Sequence, residues 1–184
     1  MRRLLFAVAC LALAGCSPLG PQAHRYTATG HVHLQRAGVD LDLGTSTAAV
    51  TLEPATGLFT ADPPKGTASF SAVGVSSDLG FAGTEPIQGR FADGRVNLSV
   101  TATVKLSDIR AAGFTLASPP GCAARQPVRV DLSSPPGFDP DRGGELSGTF
   151  ALPEFEGCEL VTVLVNAAVP GPGNTLSLSL VPIQ

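Results

Sequence analysis

The sequence predicts an all-β fold, an antiparallel β-sandwich or barrel of about ten strands with one disulfide. Two observations carry this prediction. From His24 onward, apolar and polar residues alternate with a period of two, which is typical of strands that bury one face. The 21 glycines and 16 prolines of the 184-residue chain punctuate this pattern with frequent turns.

The clearest predicted strand, residues 96–106, has an apolar residue at every second position. Asp93-Gly94 before it is a strong signal for a two-residue hairpin that pairs it with residues 87–91. The inward rows are mostly Val, Leu, Ala and Phe, which predicts a conventional apolar core. The other predicted strands are residues 26–36, 39–43, 47–52, 57–60, 69–75, 128–132, 146–152, 160–169 and 176–181.

Two segments interrupt the strand pattern. Residues 107–113 have a capping serine, Ser107, and a terminating glycine, Gly113, and could hold one helical turn. Residues 134–144 are too rich in Pro, Asp and Gly for a strand, so they are predicted to form a long loop.

The first fifteen residues have the three parts of an export signal. Residues 2–3 are arginines, residues 4–13 are almost wholly apolar, and small residues follow. The motif LAGC at residues 13–16 resembles a bacterial lipobox, which implies cleavage before Cys16 and acyl chains such as palmitate on its thiol. The apolar run is too short for a transmembrane helix, which needs about twenty residues. The alternative is an ordinary signal peptide, cut elsewhere, that leaves Cys16 unmodified.

The chain is therefore predicted to have three parts. Residues 1–15 are a lipoprotein signal peptide, residues 16–23 are the lipidated cysteine with a tether, and residues 24–184 are a single β domain. Because two acyl chains bind a bilayer firmly where one binds only marginally, the expected location is the cell membrane, with the domain on its extracytoplasmic face.

The charge of the chain argues against two classes of partner. Loss of the two signal-peptide arginines takes the formal net charge from −3 to −5, and no basic run remains. An acidic chain of this kind is not expected to bind nucleic acid or to dock electrostatically on anionic lipid. The acyl chains on Cys16 are then the expected contact with the membrane.

The four cysteines have different predicted fates. Cys10 leaves with the signal peptide and Cys16 is lipidated, so Cys122 and Cys158 remain in a compartment where disulfides persist. We predict that these two form a disulfide. The alternative, a two-thiolate metal site or a reactive thiol, lacks a nearby histidine or a Cys-x-x-Cys motif.

Several motifs of the β domain resemble an uncharacterised family of secreted or lipid-anchored proteins of high-GC Gram-positive bacteria. They are GGELSGTF at residues 143–150, LPEFEGC at 152–158 and PGPGNT at 170–175, with LEPATG at 52–57 and VKLS at 104–107 upstream. The resemblance implies a location in the cell envelope and supports the pairing of Cys122 with Cys158. It implies no catalytic residues.

One hairpin is a weak candidate for a metal site. With Ala37-Gly38 as the turn, His33 faces Asp42, while His31 and Asp40 lie on the same face. Two imidazoles and two carboxylates would suit a divalent ion such as Zn²⁺. We favour the alternative that these side chains are ordinary cross-strand neighbours on a solvated face, and we expect no metal and no cofactor.

The predicted function is that of a non-catalytic surface, structural or binding module of the bacterial cell envelope. The chain has no Gly-x-Ser-x-Gly motif, and its three histidines all precede residue 34, so a hydrolase is only a third possibility. With no Trp and one Tyr, the chain is also a poor candidate for glycan binding. The main alternative is a carrier of a lipid or another amphiphile, since small inward residues would leave an apolar cavity.

Overall fold

The structure, a computed structural model, describes residues 20–72, 74–111, 114–117 and 121–183. Cys10, Cys16 and the remainder of the predicted signal and lipobox lie outside these residues. Strands dominate the described part of the chain, in agreement with the predicted all-β class. The strands are β1 (Gln22–Leu34), β2 (Val39–Glu53), β3 (Leu58–Ala61), β4 (Lys65–Ala72), β5 (Val75–Gly83), β6 (Ile87–Ala92), β7 (Arg95–Ala111), β8 (Phe114–Ala117), β9 (Ala123–Ala124), β10 (Val128–Ser133), β11 (Gly144–Leu152), β12 (Phe155–Glu156) and β13 (Gly171–Pro182).

Eight of these strands close into an antiparallel barrel. Their order around the barrel is β1, β2, β3, β6, β7, β10, β11 and β13, and β13 pairs again with β1. The fold is thus the barrel of the two predicted alternatives. Closure pairs β13 with β1, so these two strands are not left as free edges of an open sheet.

The long strand β7 also carries an extension of the sheet. Its first half pairs with β6, and its second half pairs with β5 on the same edge, from Ala102 to Ala111. Strand β4 pairs with β5 and lies close to β2 without a strand pairing to it among the described residues. The barrel wall is therefore hydrogen-bonded between β2 and β7 through β3 and β6, but only packed between β2 and β4.

The predicted hairpin at Asp93-Gly94 is confirmed. Both residues have positive φ, 53° and 66°, and Ala92 pairs with Arg95. Positive φ at both central residues is the requirement of the type I′ turns that favour Asp-Gly. Residues 39–43 and 47–52, predicted as separate strands, are joined in β2 through a register shift near Gly44, whose φ is 71°.

Two predictions near the ends of strands are wrong. Residues 107–113 do not start a helical turn: β7 continues through Ser107 to Ala111, because β5 and β8 pair with this segment and satisfy its backbone groups. Gly113 lies outside the described residues. Strand β1 begins at Gln22, where it pairs with Leu52, so the barrel starts two residues before the predicted boundary at residue 24.

The predicted strand over residues 160–169 is also wrong. A 3₁₀ turn (Glu159–Val161) leads into a short helix, α1 (Thr162–Ala168). Val161, Val165 and Val169 are buried at the four-residue spacing of one helix face. The side chain of Asn166 accepts a hydrogen bond from the N–H of Phe155 at 2.8 Å and donates one to its carbonyl oxygen at 2.9 Å. This contact holds the helix against β12 and overrides the strand preference of its β-branched residues.

Within the described residues, no helix has the length and apolar character needed to span a membrane.

Candidate functional site

The barrel encloses a cavity of about 850 Å³. Apolar side chains from all eight barrel strands form its wall, among them Val32, Leu43, Val100, Val130, Phe150 and Leu178. The predicted inward rows are confirmed and form an apolar core, but they also surround open volume instead of filling the interior. Small residues explain the difference, since side chains that end at Cα or Cβ cannot reach the barrel axis. The small residues on the wall include Ala28, Gly30, Ala48, Ala61 and Ala102.

One end of the cavity, which we name the loop end, is closed by residues 134–143. Phe138 and Pro140 of this loop line the cavity. The loop is fastened by N–H groups of Gly137 and Phe138, which both donate to the carbonyl oxygen of Gly94 at 2.9 Å. The hydroxyl of Tyr26 on β1 donates to the carbonyl oxygen of Pro140 at 2.7 Å.

His24, for which no role was predicted, lies in β1 at the loop end. Its ring stacks on that of Tyr26 with 6.2 Å between the ring centroids, and its Nδ1 lies 3.8 Å from the carboxylate of Asp141. Its Nε2 is buried and has no hydrogen-bond partner within the described residues. The ring of His24 lines the cavity, and its unpaired buried nitrogen costs free energy there.

The environment of Tyr26 makes its phenol hard to ionise. Burial, and then the nearby carboxylates of Asp141 and Asp139, raise the pKa of Tyr26 from 10.0 to about 12. Both causes act in the same direction, because each disfavours the negatively charged phenolate.

The ionisation of Tyr26 is expected to couple the loop end to alkaline pH. Between about pH 10 and 12, an unfolded chain loses the phenolic proton while the folded chain keeps it, so stability falls as pH rises through this window. Tyr26 is the single tyrosine and there is no tryptophan, so near-ultraviolet absorbance reports its ionisation alone. We expect a midpoint near 12 in the folded protein and near 10 in denaturant. Equal midpoints would contradict the buried, hydrogen-bonded position.

The opposite end, which we name the helix end, carries the β1–β2 turn and α1. Leu34 and Leu41, on either side of the turn, are almost completely buried. Arg36 in the turn donates from Nη1 to the carbonyl oxygen of Asn166 in α1 at 3.4 Å. The N–H of Gln35 donates to Oδ1 of the buried Asn174 at 3.0 Å. These contacts hold the turn, α1 and the start of β13 together.

The predicted disulfide between Cys122 and Cys158 is confirmed, with an S–S distance of 2.00 Å. Both cysteines are fully buried, and the carbonyl oxygen of Cys122 accepts a hydrogen bond from the N–H of Leu106 on β7. The disulfide therefore ties the 3₁₀ turn and α1 to the barrel strand β7.

A third region of the cavity reaches solvent, and we name it the side opening. Every exposed residue that lines the cavity lies there, between the middle of β2 and the β4–β5 extension. These residues are Gly44, Ser46 and Thr47 on β2, Asp62 and Pro63 before β4, Lys65 at its start, and Ala82 on β5. This opening was not predicted, although the sequence carries two signals for it: apolar alternation stops over residues 44–47, and residues 63–64 are both prolines.

The candidate metal hairpin has a different register from the predicted one. His33 pairs with Asp40, and its Nδ1 lies 2.8 Å from the Asp40 Oδ1, while His31 pairs with Asp42. The four-residue turn is the reason: the N–H of Gly38, at a φ of 64°, donates to the carbonyl oxygen of Leu34. In the described part of the chain, no group of three or more His, Cys, Asp or Glu side chains is arranged to hold a metal ion.

Comparison of the chain with protein families, curated proteins and solved structures finds no match. The family resemblance and the lipobox therefore stay predictions from the sequence, and the cavity is the feature from which a function can be argued.

Proposed function

We propose that this protein is a lipid-anchored carrier domain of the bacterial cell envelope that holds an acyl chain, or another amphiphile, inside its barrel. The observation that carries the proposal is the cavity of about 850 Å³ with an apolar wall. Ligand cavities have volumes of about 300–1,000 Å³ and mostly apolar linings. An eight-stranded barrel has an interior of the right width to hold one small ligand.

The energetic cost of the cavity favours a carrier over a purely structural module. Unfilled apolar volume destabilises a protein, because the wall loses the packing contacts that larger side chains would make. Replacement of Ala28, Ala48 or Ala102 by larger residues would recover such contacts. Small residues at these wall positions lower the stability of the fold and leave cavity volume. A bound ligand would restore the packing contacts that the wall lacks.

The anchoring part of the proposal is supported by the LAGC motif at residues 13–16. Since β1 begins at Gln22, the six residues after Cys16 reach at most about 20 Å when extended. Lipidation of Cys16 would therefore keep the barrel next to the membrane surface, where lipids with acyl chains are available as ligands.

Filling the cavity from β1 is expected to weaken ligand binding. Ala28→Phe places a phenyl ring inside the barrel, and we expect the affinity for a fluorescent acyl probe such as cis-parinaric acid to fall at least tenfold, about 1.4 kcal/mol. The matched control is Thr27→Phe, at the neighbouring position of the same strand, which does not line the cavity. Titration of the probe by fluorescence, with thermal unfolding of each variant, is the measurement.

Two results would count against the carrier. Wild-type protein that binds no acyl probe, at concentrations where serum albumin does, contradicts the proposal directly. Equal affinity of the Ala28→Phe and Thr27→Phe variants would place the probe outside the barrel.

A further inference from the structure

We propose that the ligand is an amphiphile with an anionic head group, that it enters through the side opening, and that its head group stays there on Lys65. The inference deepens the proposed function and rests on it. Three observations carry it: the route that the strands leave open, the residues that keep it open, and the polar groups gathered at its rim.

The route follows from the hydrogen bonding of β2. Strand β3 pairs with β2 only over Val50–Glu53, so the preceding part of that edge, residues 39–49, faces β4 without a strand pairing in the described chain. None of the exposed residues that line the cavity lies at the loop end or at the helix end. An acyl chain that passes between β2 and β4 would break no strand pairing.

Prolines keep this gap from closing. Pro63 and Pro64 lie at the rim, and neither has an N–H with which to extend a ladder onto β2. The N–H of Gly83 on β5 donates to the carbonyl oxygen of Pro64 at 2.6 Å. A side chain at Gly83 would collide with both prolines, since an added Cβ would lie 2.6 Å from Pro64 Cδ. The proline pair is thus fixed on the β5 side, away from the edge of β2.

The rim supplies the polar groups that the cavity interior lacks. Ser46, Thr47, Asp62 and Lys65 are exposed there, and among the described residues no hydrogen bond or ion pair holds their side chains. Three of the four can donate hydrogen bonds, and Lys65 brings a positive charge. A carboxylate or phosphate head group would be satisfied by these donors and would remain in water, while its acyl chain occupies the apolar interior.

The route is tested by a bulky residue at the rim. Ser46→Trp should slow the loading of cis-parinaric acid at least tenfold in stopped-flow fluorescence. Thr45→Trp, at an exposed neighbour on β2 that does not line the cavity, should load at the wild-type rate. Loading of Ser46→Trp at the wild-type rate would overturn the side route.

The head group is tested by a charge change at the same rim. Lys65→Gln should weaken oleate two- to fivefold at low ionic strength, the range measured for exposed ion pairs, and leave neutral monoolein unchanged. Lys105→Gln, at the other lysine of the chain, which is exposed on β7, should change neither. Equal effects of Lys65→Gln on the two lipids, or no effect on oleate, would overturn the anionic class. If wild-type protein binds neither lipid, the carrier proposal itself fails.

Discussion

Replacement of Cys122 and Cys158 together by serine is expected to lower the free energy of unfolding by about 3–4 kcal/mol. The two cysteines are 36 residues apart, so their disulfide closes a loop that the unfolded chain would otherwise explore freely. Both sulfurs are fully buried, which adds the loss of packing to the loss of the constraint. We expect the midpoint of thermal unfolding to fall by roughly 10 °C, because 1 kcal/mol moves a domain of this size by about 2–4 °C.

Urea denaturation of the oxidised wild type and of the double-serine variant measures this difference. The effect should concentrate at the helix end, where the disulfide ties α1 to β7, so amides of residues 155–168 should lose most of their protection from hydrogen exchange. A change below about 1 kcal/mol would show that α1 is held by Asn166 and the valine face without help from the disulfide.

Cys16→Ser is expected to move the protein from the membrane fraction to the medium or to leave it as an uncleaved precursor. We propose that lipid on Cys16 provides the whole of the membrane attachment, because residues 13–16 resemble a lipobox and the acidic chain has no basic run for an electrostatic contact. Cell fractionation with immunoblotting, and the intact mass of the detergent-extracted protein, are the measurements. The mass should show a chain that begins at Cys16 and carries a diacylglyceryl group.

The two cysteine variants control for each other. The barrel of Cys16→Ser should unfold at the wild-type temperature, because the first described strand, β1, begins at Gln22. The double-serine variant, grown at a permissive temperature, should stay in the membrane fraction. Cys16→Ser protein that still partitions with the membrane would contradict the assigned anchor.

The strand pattern was predictable because it is a local property. In β7, β10 and β11, the residues predicted to face inward do face the interior, since a period of two in the sequence becomes one face of a sheet. The turn at Asp93-Gly94 was predictable for the same reason: its positive φ values are a preference of those two residues.

The errors arose where distant parts of the chain decide the local structure. The segment 160–169 has the composition of a strand, but it contacts Phe155 and Arg36 through Asn166 and the core through three valines, and these contacts suit a helix. The hairpin register depended on a single backbone hydrogen bond from Gly38 to Leu34, which a two-residue turn would lack.

The candidate site was the least predictable feature. Small inward residues such as Ala28 and Ala102 are visible in the sequence, yet they are equally compatible with a sandwich, in which two sheets approach until the gap is filled. In a closed barrel the ring of hydrogen bonds holds the walls apart, and small residues then leave a cavity of about 850 Å³.

Local features of the sequence were enough to predict the all-β class, the inward and outward faces of most strands, the turn at Asp93-Gly94 and the cysteine pair available for the disulfide. These depend on residue type and on spacing of a few positions. The choice of a barrel over a sandwich, the helix at residues 162–168 and the side opening between β2 and β4 depend instead on tertiary contacts. Closure, packing and gaps arise from pairings between residues far apart in the chain, and no local pattern specifies the partners of those pairings.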